Sequence, residues 1–294
     1  MTIVTPALRA LRVSYRPGRT LRRFARDRVG VSCLVGLMFL LLFGLASLVW
    51  TPHDPAAQEL TNRLRPPSSE YWLGTDSLGR DILSRLMAAT WTALVSCFVG
   101  MGIAVVGGVA LGVAAGFVEG PVGWVLSRLT DVLLSLPPLL FAVAIVGALG
   151  PSLTNAMIAV GVLLLPRFFR LAMIETSQSK HEDYVEAARA AGAGPQRIVV
   201  RHILPNIASP LVVQMSFGAS VVIVAESGLS FLGLGAQPPT ASWGSMTREG
   251  FDRLAESSWS IVPPSMILVV AILLVSLLGD ALRDAGGRQQ AERS

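Results

Sequence analysis

The chain has 294 residues, of which 52% are hydrophobic and 15% charged, with a mean hydropathy of +0.59, whereas a soluble domain carries about 25% charged residues. Its formal net charge of +5 comes from arginines flanking apolar blocks, without the aromatic-interleaved basic groove on which bases stack, so nucleic acid is excluded as a partner. Cys33 and Cys97 lie inside apolar runs, where they act as small hydrophobes, and neither a disulfide framework nor a thiolate metal cluster follows from them.

Residues 1–28 form an arginine-rich segment ahead of the first apolar block, 29–50. At 1.5 Å per residue that block crosses the roughly 30 Å of hydrocarbon in a bilayer. It is longer than a signal-peptide core and lacks a small-residue cleavage site before Thr51-Pro52-His53, so it reads as a retained anchor. A polar segment, 51–89, follows, and further blocks run over 93–117, 129–149, 153–169, 211–232 and 261–278, with a tail at 284–294. Glu119-Gly120-Pro121, Gly150-Pro151-Ser152 and Gln237-Pro238-Pro239 supply turn chemistry between them. Asp131, Ser135 and Pro137-Pro138 open the third block, where the proline pair bends the helix. The expected fold is therefore all-α and polytopic, with six transmembrane helices and both termini on one side.

Six spans divide the 24 Lys and Arg residues eighteen to six, the larger share falling with the N-terminus, the Lys180 loop and the C-terminus. The positive-inside rule places that side in the cytoplasm and residues 51–89 outside. Trp50, Trp72, Trp91, Trp243 and Trp259 cluster at the outer ends of spans, where an amphipathic ring prefers the interface. Gly108, Gly112 and Gly116 strip one face of the second span and predict close helix approach there.

Catalytic signatures are missing. The single Lys, Lys180, is followed by His181 and is not preceded by Gly, which rules out a phosphate-binding P-loop. His53, His181 and His202 show no zinc spacing, and no G-x-S-x-G turn occurs. The chain is expected to be non-catalytic, with no catalytic, cofactor or metal residues.

The loop from Lys180 to Asn206 is the most informative stretch. Residues 182–191 favour a helix with Glu182, Asp183 and Glu186 at its positive end, and Gly192 and Gly194-Pro195 stop it. A second amphipathic segment, 198–204, is expected to end at Pro205, which makes a helix-turn-helix on the cytoplasmic face, small on one side through Ala187, Ala188, Ala190 and Ala191.

Glu186-Ala187-Ala188, then Gly192, then Leu204-Pro205 closely resembles the EAA loop of the membrane subunits of ATP-binding-cassette importers. His202 departs from the general pattern, which has Ile there, and the Arg201-His202-Ile203-Leu204-Pro205-Asn206 run is similar to the oligopeptide, dipeptide and nickel branch. Residues 71–86, 231–244 and 278–284 bear the same resemblance, which points to the C-type permease subunit of that branch. It implies a type-1 importer permease fold over about residues 90–283 with a coupling loop at 170–206. It also implies translocation of peptides by alternating access, with nickel or another small solute as the other cargo and an ion-coupled carrier as the rival class. The implied partners are a homologous second permease, two ATPase subunits that use ATP and Mg, and an extracytoplasmic substrate-binding protein. Glu186, Ala187, Ala188, Gly192, Leu204 and Pro205 are then the ATPase-coupling residues.

Two further groups stand out. Glu226 is an acidic residue within a predicted span, either lining the translocation path or serving as structural hydrogen-bonding glue. Asp76, Arg80, Asp81 and Arg85 recur at spacings that would pair opposite charges on a short helix, as local ion pairs or as an outer gate or docking surface.

Overall fold

The computed structural model describes residues 27–118 and 120–291. The arginines from Arg9 to Arg26, Arg293, and Glu119 of the turn after the second block lie outside that range. Among the described residues there are ten α-helices, α1 (Arg28–Ala46), α2 (Ile82–Phe117), α3 (Pro121–Ser135), α4 (Pro138–Leu149), α5 (Leu153–Ser179), α6 (Asp183–Ala190), α7 (Pro195–Ile198), α8 (Leu204–Phe231), α9 (Trp243–Asp252) and α10 (Val262–Ala291), with a short 3-10 turn at Leu60–Asn62 and a π turn at Val199–Ile203. Five helical stretches are long and apolar enough to cross a membrane, and α3 with α4 makes a sixth if the bent pair counts as one span. Side chains satisfy the orphan amides where the chain enters α1, α2 and α5: Asp27, Asp81 and Ser152 accept from the backbone of Val29, Ser84 and Asn155.

The centre of the bundle is the pair α2 and α5. A Cβ placed on Gly108, Gly112 or Gly116 would stand 2.6 Å from Phe168 Cβ, 2.9 Å from Ala172 Cβ and 3.0 Å from Thr176 Cβ respectively. The glycine face therefore admits the α5 backbone, and the contacts rise together along both helices, so the two run parallel. Such an approach maximises van der Waals contact where no hydrophobic force drives helices together. α8 lies against this pair, with Val222 beside Gly100. α10 runs antiparallel to α8, its Ser276 hydroxyl 3.1 Å from that of Ser220. α1 packs Gly44 against Leu94 of α2 and Gly36 against Leu274 of α10.

The bend expected at Pro137-Pro138 is a full break: α3 and α4 meet at 96° across Leu136-Pro137, because Pro138 has no N–H to give to α3 and starts a new helix as its first residue. Two local expectations change. Pro205 does not end a cytoplasmic helix; α7 runs through a wider π turn, Val199–Ile203, into α8 as one stretch from Pro195 to Phe231. Leu204 N–H bonds to Val199 O across that turn, which leaves Pro205 in the first turn of α8, where a missing N–H costs nothing. Trp243 is not an interfacial ring either. It is 2% exposed and packs within a cluster that holds Ile82, Met246 and Ala271, whereas Trp50 and Trp72 are 60% and 62% exposed.

The two ends of the bundle differ in construction. Residues 51–81 and α9 cap one end, and α6 with α7 lies at the other, beside the last turn of α2. Arg189 stacks over Phe117 there at 5.9 Å, and the buried Lys180 donates to Gly116 O at 3.0 Å.

Candidate functional site

α6 is short, and its charges follow its dipole, with Asp183 and Glu186 in the first turn and Arg189 in the last. Val185 is fully buried and packs in the cluster that also holds Ile198, Ile203 and Ile207. Tyr184 adds a second brace, its hydroxyl accepting from Asn206 Nδ2 at 2.9 Å. The helix ends in a reversal at Gly192, whose φ is +80°. Gly192 N–H bonds to Arg189 O at 2.9 Å and Ala193 N–H to Ala188 O at 3.0 Å, the paired bonds of a left-handed helix stop. Glycine takes this φ without the strain a Cβ would bring. No neighbour lies within 4 Å of a Cβ built there, so the conformation and not space is what requires glycine.

The six expected coupling residues do not all share one surface. Glu186, Ala187, Gly192 and Pro205 are exposed, while Ala188 and Leu204 are half-buried against the core. Leu204 thus faces inward, and the exposed face is Glu186 and Ala187 leading to Gly192.

At the opposite end the charges converge through tertiary structure. A helix cannot form over 76–80, since Gly79 sits at φ +74° in a tight turn closed by a bridge between Thr75 and Asp81. Asp76 Oδ1 accepts from the backbone of Leu78 and Arg80 at 2.8 and 3.0 Å, and its Oδ2 pairs with Arg80 Nε at 2.7 Å and also with Arg85. Glu249 of α9 completes the group: Arg80 Nη2 lies 2.8 Å from its Oε2, and Arg85 reaches both oxygens, at 2.6 and 3.0 Å. Two cations and two anions so neutralise one another while Asp76, Arg80 and Arg85 are almost wholly buried. Asp81 stands apart from the ion pairs of Arg85. Its Oδ2 caps α2 by accepting from Ser84 N at 3.0 Å and Oγ at 2.6 Å, and His53 Nδ1 lies 3.5 Å from it. Glu249 escaped the sequence reading because Ser245 to Phe251 looks like any solvated amphipathic turn; only its facing partners distinguish it.

Glu226 is 1% exposed and lies within two turns of the end of α8, nearer the cap than the middle of the span. Its carboxylate accepts from Ser230 Oγ at 2.7 Å and Ser227 Oγ at 3.3 Å. The close packing of Gly244 in α9 on Ser227 shields the group from that side. No cluster of three or more His, Cys, Asp or Glu able to hold a metal ion occurs among the described residues.

Residues 108–288, which include α6, its reversal and α8, match the family described as binding-protein-dependent transport system inner membrane component. The chain belongs to that family. Residues 17–67 match a second one, the N-terminal transmembrane domain of oligopeptide transport permease C. Family members similar to this chain include the di/tripeptide transport system permease protein DppC of Pseudomonas aeruginosa, 40% identical with 86% of each chain covered. The glutathione transport system permease protein GsiD of Pectobacterium atrosepticum is 38% identical, covering 90% of this chain and 88% of that one. The probable D,D-dipeptide transport system permease protein DdpC of Escherichia coli is 36% identical over 88% and 89%. Among solved structures, an inward-facing MetNI methionine ABC transporter shares the fold, with a TM-score of 0.56 at 19% identity over 68% of this chain and 95% of that chain. The protein is accordingly a membrane-spanning permease subunit of an ATP-binding-cassette importer with the type-1 permease fold.

Proposed function

We propose that this permease forms, with a homologous second permease, the path by which short peptides cross the cytoplasmic membrane. α6 is the element on which the ATPase subunits push. The observation that carries the coupling role is the α6 reversal: a helix braced by buried Val185 and stopped by Gly192, with Glu186 and Ala187 turned to solvent. A motor needs a rigid element to push on, and a short capped helix anchored by a buried side chain transmits displacement where a free loop would absorb it. The peptide cargo is supported by the relatives, whose names assign them dipeptides, tripeptides and glutathione. ATP and Mg are used by two separate ATPase subunits, an extracytoplasmic binding protein delivers the cargo, and this chain performs no catalysis. The arginine bias puts both termini and α6 in the cytoplasm and residues 51–81 outside.

Co-expression with the second permease and the ATPases tests this reading. The chain is expected to co-purify with both, and the reconstituted complex, given its binding protein, to take up a radiolabelled dipeptide only with ATP. Labelling of a Ser68→Cys chain in intact cells should occur from outside. Labelling from the cytoplasm alone would invert the topology, and uptake without any ATPase subunit would return the chain to the carriers.

A further inference from the structure

Between the α3–α4 bend, α5 and α8 lies a cleft of about 550 Å³, walled by aliphatic side chains such as Leu134, Leu139, Leu163, Val221 and Val224. Arg167 stands among them as the one charged residue of the lining. It is exposed, and among the described residues it takes part in no ion pair or hydrogen bond. Asp131 of α3, on the helix that enters the bend, already serves both Arg128 and Arg170. Asp131 is thus taken by two other guanidinium groups, and Arg167 has no carboxylate of its own among the described residues.

A guanidinium within a spanning helix and beside apolar walls calls for an anion, and its planar fork matches the two oxygens of a carboxylate with two parallel hydrogen bonds. The walls carry no aromatic anchor and, apart from Ser220, whose hydroxyl is engaged with Ser276, no polar side chain. Such walls cannot read side chains. A ligand recognised here is one whose common feature is a carboxylate and whose remainder varies.

We propose that Arg167 receives the C-terminal carboxylate of the peptide in transit, so that the cleft holds cargo by its backbone terminus and not by its sequence. This rests on the peptide-permease reading. The second permease could instead supply an acidic side chain to Arg167, and the test separates the two.

The whole complex is assembled with Cys33 and Cys97 replaced by Ala and a single cysteine at Val224→Cys, which faces the cleft. Thiol modification by an anionic and a cationic methanethiosulfonate reagent is compared. The anion-to-cation rate ratio is expected to fall about tenfold in Arg167→Gln and to persist in Arg167→Lys, as a unit charge about 10 Å away in a medium of intermediate polarity would require. Dialanine with a free carboxylate should slow modification in the Arg167 background, and dialanine amide should not. Equal protection by both peptides overturns the proposal, as does a ratio unmoved by Arg167→Gln. A ratio that depends on Arg167 in the isolated chain but not beside the second permease assigns the guanidinium to an acidic partner residue and overturns it too. Failure of the wild-type complex to take up any peptide overturns the function reading itself, whereas normal uptake with no Arg167 dependence overturns only this inference.

Discussion

At the cap built from residues 51–81 and α9, Asp76, Arg80, Arg85 and Glu249 satisfy one another out of water. At the other end of the bundle, α6 buries one anchor, Val185, and leaves Glu186 exposed with no ion-pair partner among the described residues. Both regions lie outside the longest apolar stretches, and both are rich in charge, yet the charge does different things. A buried network that closes within one chain locks two segments together and has little left to offer a second protein. An exposed face on a braced helix keeps its bonding capacity for a partner.

Breaking the cap should therefore cost stability, and breaking the loop should cost function. Asp76→Leu is expected to have the largest effect, because it removes the acceptor of the Leu78 and Arg80 backbone N–H groups and leaves Arg80 and Arg85 with Glu249 alone. Removing one partner from a buried ionic group costs about 3–5 kcal/mol, visible as a lower melting temperature in detergent and reduced accumulation. Glu226→Leu comes next, at about 1–3 kcal/mol for stranding polar groups in a buried site. Glu226→Gln, which keeps an acceptor for Ser227 or Ser230, should melt closer to the parent. Equal and complete loss of uptake by both variants, with normal assembly, would instead mark the charge as essential to transport.

Gly192→Val sharpens the contrast from the other side. Its φ of +80° costs an ordinary residue about 1–2 kcal/mol, a strain confined to an exposed turn. The melting temperature of the bundle should change little while ATP-driven uptake is lost, and Gly192→Asn should retain part of it. Glu186→Arg is expected to do the same without any strain. Full uptake by both variants would return α6 to an ordinary surface helix.

The smallest effect belongs to Glu256, in the turn after α9. A hydrogen bond from Arg253 holds its carboxyl below the usual value, burial opposes this slightly, and the charges of Arg63 and Arg253 assist. A carboxylate with a lowered folded pKa stabilises above its unfolded value, and that contribution fades as pH falls through the lowered one. The group is exposed, so Glu256→Gln should shift melting least of these variants, with the shift shrinking in high salt and vanishing in acid.

Much of the molecule can be read along the chain. Each of the five long apolar helices, and the bent pair α3–α4, coincides with a block that hydropathy marked, since transfer energy belongs to each residue and needs no knowledge of neighbours. The stripe of Gly108, Gly112 and Gly116 announced a close approach, and Gly192 announced a reversal, because a missing Cβ is a local property with a local consequence. Tertiary packing was needed for the rest. Spacing brought Asp76 and Arg80 together on paper, but on a helix that Gly79 forbids, and nothing near Glu249 in the chain marks it as the partner of two arginines 164 and 169 residues away. Pro205 read as a stop until the π turn before it shifted the hydrogen-bond register. Trp243 read as an interfacial ring until α9 folded it inward. Arg167, which nothing in the chain distinguishes from the other arginines, acquired a setting only when α3, α4 and α8 enclosed a cleft around it. The difference is physical: transfer free energy and backbone freedom belong to a residue, whereas the pairing of a charge belongs to whatever the fold brings within about 4 Å of it.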